Sequence, residues 1–345
     1  MAKIKQFNIF YHQKVSKMLS YISPDEKISF LSTLINFIPN AIQDFLPLFL
    51  RNKRASFIAI NDENFVKAFI SIEAAHGNNK KWFIKKLFLD RNSFDEGKQL
   101  IDYIVTKYGA IGADTFCVLV DEFDETTAGL FSKMCGFRLC SREILFRSEN
   151  YDLLNLPKNL IEENCFENFK NSDSSKVAEL FKEALFPHFR FSLEKDPNEF
   201  TTTLSKILSK EKSIKYILKD KNGNIFGYAD IETLFNRTKT IDLILAKPYE
   251  SDYFKILQSL IYYTKKSSPD YEILILCKNY LSSSKIYETL LKENGFVPMQ
   301  IKLLFVKDFY KPVQDSEVIA NPSLIFKEIT GKPAFLKFKP LQKSD

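Results

Sequence analysis

The chain spells out one order of elements twice, and this repetition limits its possible folds more than any other feature. In the first copy, helical spacing over about 14–50 leads into "RASFIAINDE" (54–63) and "NFVKAFISIEAA" (64–75), a strand pair with Asp62 and Asn64 where it would turn. "KWFIKKLFLD" (81–90) reads as a third strand. A helix follows from about Phe94 to Tyr108, with Gly109 where a helix C-terminus would use it. "DTFCVLVDE" (114–122) is nearly all apolar, the pattern of a strand covered on both faces. A short helix over about 125–134, the pair Gly136-Phe137 and the strand "RLCSREILFR" (138–147) finish the unit.

The second copy follows a linker. Helices over about 174–211 precede the hairpin "SIKYILKDKNGNIFGYADIE" (213–232), signalled by Asn222-Gly223. Then come "KTIDLILA" (239–246), a helix over about 251–266, the strand "YEILILC" (271–277) and a helix over about 283–293. The pair Gly295-Phe296 and the strand "QIKLLFV" (300–306) close it. The fold class this predicts is α/β with a mixed sheet, in two tandem domains. The boundaries are 1–150 for the first domain, 151–166 for the linker, 167–312 for the second domain and 313–345 for a C-terminal extension. Its "FLKFKP" reads as an added strand or a strap over a neighbouring domain.

Composition narrows the function classes. The +6 net charge comes from 49 basic and 43 acidic residues scattered through both halves, with no dense basic block carrying interleaved aromatics, so nucleic acid is not the expected partner. The most apolar stretch, 28–51, is broken by Pro39, Asp44 and Pro47 and reads as two buried helices; a membrane span needs roughly 20 mostly apolar residues. Five cysteines and three histidines without paired ligand spacing predict no metal site. "CGFRLC" reads as a buried pair of thiols, Cys135 and Cys140. The N-terminus lacks a signal-peptide pattern, so the expected location is cytoplasmic.

The order of elements, with Gly-Phe closing each copy, resembles the GNAT superfamily of acyl-CoA-dependent N-acyltransferases, here as a tandem pair over roughly 25–147 and 167–308. The family's pattern from the fourth strand into the next helix is Arg/Gln-x-x-Gly-x-Gly/Ala, then two residues and a leucine pair. With Leu100-Ile101 as that pair, the final glycine falls on Gly97, the first on Asp95 and the leading Arg/Gln on Asn92. A second pattern falls on "ETTAGLFSKMCGF", where Ala128, Phe131, Gly136 and Phe137 match or nearly match. The resemblance implies acyl transfer from acetyl-CoA to an amine, with the cofactor site in the first domain. Pantetheine would run along Leu87, Phe88 and Leu89, and the pyrophosphate would sit over Asn92, Ser93, Glu96, Gly97 and Lys98. The acceptor, a small molecule or peptide amine, would enter between the domains. It also implies Glu73 as the candidate base, while the position of the family's acid tyrosine is Ser132.

The stretch "LDRNSFDEGKQL" (89–100) supports a second reading. Asp95 and Glu96 stand where an anion would arrive, and at 4 Å such a like-charge pair costs on the order of 1–4 kcal/mol. "SFDE" also reads as a capping box, Ser93 accepting from the third amide and Glu96 reaching back. Lys98 is the residue to offset the acidity. In the second domain the corresponding loop, "KPYESDYFKIL" (247–257), has Ser251 and Tyr253 in the glycine positions and Leu291 in that of the acid, with Tyr287 one turn earlier. That half is expected not to bind acyl-CoA productively. The alternative for the whole chain is a GNAT-fold protein that binds a ligand or partner without transferring anything.

Overall fold

The computed structural model describes residues 2–19, 54–91, 93–148, 165–202, 213–234 and 237–309. The two buried helices expected within 28–51, the rest of the stretch 20–53, the linker, Asn92, the stretch 203–212 and the C-terminal extension lie outside the described residues. The strands and helices described below belong to one compact unit, Met1–Asp308; a second unit covers Phe309–Asp345.

The first half supplies β1 (Lys3–Gln6), β2 (Arg54–Ile60), β3 (Val66–Ala75), β4 (Asn78–Leu89), β5 (Thr115–Asp121) and β6 (Arg138–Ser148). The second supplies β7 (Phe166–Asn168), β8 (Ser213–Lys219), β9 (Ile225–Leu234), β10 (Thr238–Leu245), β11 (Glu272–Lys278) and β12 (Phe296–Asp308). The helices are α1 (His12–Leu19), α2 (Phe94–Ala110), α3 (Glu125–Gly129), α4 (Ser174–Ala184), α5 (Arg190–Leu193), α6 (Pro197–Phe200), α7 (Tyr253–Ser267) and α8 (Ser284–Glu293). The α2 helix passes Gly109 and ends beyond it, and Gly112 (φ +102°) takes the left-handed turn instead. The edge strands β1 and β7 escape a periodicity search because each spans one turn's length of chain. They extend the sheet by pairing antiparallel with β2 and β8.

All twelve described strands lie in one sheet, in the order β1-β2-β3-β4-β5-β12-β6-β11-β10-β9-β8-β7. The strand 138–147, read from the sequence as the last of the first unit, has no partner in that unit. It pairs antiparallel with β11, from Leu274↔Arg147 to Lys278↔Glu143, and with β12. In return β12 pairs antiparallel with β5, from Lys302↔Asp121 to Asp308↔Thr115. Each half therefore lends its final strand to the fifth strand of the other, and β12 and β6 run side by side on the axis of this exchange. Pro298, which has no amide hydrogen to donate, is tolerated in β12 because it sits at a register shift and beyond the end of β5.

Helices cover both faces, which is why β3 is buried along almost its whole length. On one face Leu100, Ile101, Ile104 and Val105 of α2 recur at helical spacing and pack with Phe57, Trp82 and Phe305. The α7 and α8 helices do the same for β9, β10 and β11. On the other face α4 inserts Val177 and Phe181 among Ile217, Tyr228 and Ile244 of its own half and Cys117, Leu304 and Val306 of the central strands. Fully burying each of these large side chains contributes about 1.5–3 kcal/mol, so the middle of the sheet is held from both sides of the exchange. Gly136 and Gly295 end the two short helices in the left-handed region (φ +69° and +76°), a conformation that any side chain would strain. The turns deliver Phe137 and Phe296 into the two cores.

Candidate functional site

Two parallel strand pairs part before their ends. In the first half β4 and β5 stay paired from Lys81↔Thr115 to Ile84↔Val118, although the strands run on to Leu89 and Asp121. Among the described residues the β4–β5 ladder does not continue past Ile84. In the second half β10 and β11 pair from Thr238↔Glu272 to Asp242↔Leu276 and then separate in the same way. In each half the parting strand leads into the N-terminus of the following helix, and the two gaps differ in what fills them.

At the first gap α2 begins after Ser93, which makes no side-chain capping bond. The capping box read from "SFDE" is therefore not formed. Ser93 donates its amide to the Asp90 carbonyl (3.0 Å), and the Gly97 amide donates to the Ser93 carbonyl (3.0 Å). The amides of Phe94, Asp95 and Glu96 precede any intrahelical acceptor and have no backbone partner among the described residues, which leaves them available to an anion. Gly97 is buried, and a Cβ built on it would meet Leu89 Cδ2 at 2.7 Å and Leu130 Cδ2 at 3.4 Å. The glycine thus serves close packing of helix on strand at the floor of the gap, with Leu87 and Leu89 half-buried beside it. Phe88 points to the opposite face, stacked on Phe69 at 5.9 Å, and does not line the same side as Leu87 and Leu89.

Charges around this helix start depart from the expectation. Lys98 is bound to Asp102 one turn along, which raises its pKa, and so does not counter Glu96. The cation at the mouth is instead Lys67 of β3, paired with Asp90 at 2.6 Å. Its pKa is raised by that bond first and, more weakly, by Glu96. Neither residue stood out in the sequence; the only signal was an aspartate directly after the apolar run of β4.

The two candidate catalytic residues are engaged elsewhere. Glu73 lies opposite Phe83 in the register, next to the point where β4 and β5 part, but its carboxylate is held by Arg54 at 3.0 Å. Ser132 donates its hydroxyl back to the Ala128 carbonyl at 2.7 Å, so its proton is committed to the helix. That helix itself changes pitch: α3 continues as a π-helical turn, Leu130–Met134, which sets Leu130 against Gly97. Cys117, in register with Phe83, is fully buried, and burial pushes its thiol up to about 12. Cys135 is buried and Cys140 half-buried, and burial raises both thiols, Cys135 to about 11.

The second gap is closed by aromatic rings. Tyr253, the first residue of α7 and the counterpart of Gly97, is 1% exposed and stacks on Tyr287 with centroids 3.6 Å apart and planes 11° apart. Both rings belong to the core that includes Leu243, Leu245 and Cys277, the residues just past the last β10–β11 pair. Burial raises both phenols well above their usual range. On the opposite face of this half, Lys278 pairs with Asp242, and Tyr280 donates to Glu143 of β6 at 2.8 Å. Lys195 lies over the Phe181 and Phe200 rings, its pKa lowered to about 8 by burial and by Lys278. His188 of "FPHFRF" stacks with Phe186 and Phe189 in a short helical turn, and Arg190 donates to the Lys182 carbonyl.

No family model matches the chain, and no curated protein matches it. Solved structures do. A "tandem GNAT protein from the clavulanic acid biosynthesis pathway (without AcCoA)" aligns with a TM-score of 0.58 at 11% identity, over 89% of this chain and 98% of that one. A putative acetyltransferase from Pyrococcus horikoshii gives 0.52 at 12% identity, over 90% of each chain. A GCN5-related glucosamine N-acetyltransferase region in a fungal multi-domain GH3 β-N-acetylglucosaminidase gives 0.53 at 12%, over 89% of this chain and 38% of that one. At such identities the likeness is one of fold. The mixed sheet with its parting parallel strands defines the class, the GNAT fold. Within that class the chain is a tandem GNAT-fold protein, two copies carried on one sheet.

Proposed function

We propose that the chain is a GNAT-type N-acyltransferase that takes its acyl group from acetyl-CoA, with one cofactor site, in the first half. The observation that carries this reading is the contrast between the two gaps. The first ends on a glycine and three helix amides with no backbone partner among the described residues, while the second is filled by the Tyr253–Tyr287 stack. A diphosphate suits the amides of Phe94, Asp95 and Glu96, since helix N-termini favour anions by dipole and by donor supply. Lys67 partly offsets the acidity of Glu96 there. Beyond Ile84, past its last pair with β5, β4 runs alongside the gap where an amide-bearing chain such as pantetheine could meet backbone donors and acceptors. Acetyl-CoA supplies the activated thioester, and the acceptor is an amine. With Glu73 held by Arg54, this reading assigns its deprotonation to solvent or to a group outside the described residues.

The second reading, a binder that transfers nothing, is favoured by the commitment of both Glu73 and Ser132 to other partners. Calorimetric titration of the full chain with acetyl-CoA separates these ideas. The proposal expects one site per chain and thiol release when an amine panel is added. Two sites per chain, or no binding at millimolar ligand, overturns it, and saturable binding without thiol release selects the second reading. We place the protein in a reducing cytoplasm, in keeping with five unpaired cysteines. Among the described residues no helix is long and apolar enough to cross a membrane.

A further inference from the structure

At the outer edge of the second half, α7 and strands β7 to β10 enclose a cleft of about 240 Å³. Its walls include three rings, Phe166, Tyr216 and Tyr263, with Phe166 edge-on to Tyr216 at 6.4 Å and to Tyr263 at 5.8 Å. Ile231 and Leu260 line its apolar side. One cation belongs to the lining, Lys239 of β10, which is 6% exposed. It lies in register between Thr233 and Ile273, so the sheet fixes where its stem starts. Its amine donates to the Ser268 hydroxyl at 2.8 Å and stands 5.1 Å from the centre of the Tyr271 ring. Among the described residues no carboxylate pairs with it.

That arrangement is unlike those of Lys81 and Lys278, which are buried to the same degree. Lys81 is paired with Glu199 and Lys278 with Asp242. An ammonium carries three donors, and the Ser268 hydroxyl takes one. A buried cation without a counter-charge is costly, and burial lowers the Lys239 pKa. An anion arriving in the cleft removes that cost. The volume equals about eight waters at roughly 30 Å³ each, room for a body of about ten non-hydrogen atoms. The rings set what the body is, because aromatic edges and faces prefer another aromatic group.

We propose that this cleft binds a small aromatic monocarboxylate, its carboxylate on Lys239 and its ring among Phe166, Tyr216 and Tyr263. The site is separate from the first-half gap, and the inference does not rest on the acyl-transfer reading. The probe is phenylacetate, titrated calorimetrically into the full chain beside its uncharged isostere phenylacetamide. Saturable binding of the acid, with the amide at least tenfold weaker, is expected, as a charge-assisted bond demands. Lys239→Met keeps the stem and is expected to remove the preference for the acid. Ser267→Trp, at an exposed position on the rim, is expected to abolish binding of both. No saturable binding up to about 10 mM overturns the proposal. So does an amide that binds as tightly as the acid, or a Lys239→Met protein that keeps the preference. The acid and amide comparison uses the unmodified chain, so the result stands even if a variant fails to fold.

Discussion

Truncation at residue 295 is expected to unfold the half of the molecule that it does not touch in sequence. The deleted strand, β12, ends the second copy of the fold but lies against β5 of the first. Leu304, Phe305 and Val306 are 4%, 3% and 0% exposed, and at about 1.5–3 kcal/mol each they contribute roughly 5–9 kcal/mol of burial. Domain stabilities run to about 5–15 kcal/mol, so the loss approaches the whole. The chain carries its own reporter. Trp82 is the single tryptophan, 4% exposed on β4, 4.2 Å from the Tyr108 ring and in one core with Phe305. Its fluorescence should shift to the red in 1–295 and lose its cooperative melt, while 1–309 keeps both. If each half closed on its own last strand, 1–295 would leave Trp82 blue-shifted with a cooperative transition, and that result refutes the exchange.

Other outcomes follow from the same geometry. Fragments 1–148 and 165–309, made separately, should not fold alone, but should co-purify when expressed together; a monomeric, cooperatively folded 165–309 argues against this. Tyr253→Ala should cost about 3–5 kcal/mol in urea unfolding, the range for removing a buried aromatic side chain, without adding a second acetyl-CoA site. Asp95→Asn should tighten acetyl-CoA about fivefold in calorimetry, the worth of roughly 1 kcal/mol for one exposed like charge near a phosphate; an unchanged affinity would displace the diphosphate from α2. Lys195 titrates at about 8 in the folded chain against 10.5 unfolded, so between those values the unfolded state binds more protons and stability rises with pH. Each unit is worth about 1.36 kcal/mol before screening, so up to about 3 kcal/mol should be gained from pH 8 to 10.5. The same urea midpoints measured on Lys195→Met should lack that gain.

Periodicity in the sequence carried most of the elements. The near-continuous apolar run at 114–122 became β5, and Asn222-Gly223 made the β8–β9 turn, with Gly223 at φ +81°. What periodicity does not carry is which strand lies beside which. "RLCSREILFR" has the same alternation whether its neighbour is β5 or β11, and only the packing of two halves chooses. The packing contrast between Gly97 and Tyr253 was legible, because a glycine lets helix and strand approach closely while a tyrosine fills the space with its ring. Side chains with several partners in reach were not legible. Ser93 has a capping pattern yet makes no cap, Lys98 turns to Asp102, and Glu73 turns to an arginine across the strand pair. Each of these side chains has more than one partner at a permitted spacing, along the helix for Lys98 and across the strand pair for Glu73, and the pattern of residues does not say which is taken.

The exchange of final strands also sets a clock on biosynthesis. By the time Asp121 has emerged, β5 is complete, yet its partner ends at Asp308, about 190 residues later. At about 5–20 residues per second that interval is roughly 10–40 s. Throughout it the first half presents an apolar strand edge, and β6 presents another. Each is a template for pairing with a neighbouring nascent chain. Two chains that swapped these strands with each other would satisfy the same ladders, so growth conditions that slow translation should raise the yield of dimers over monomers.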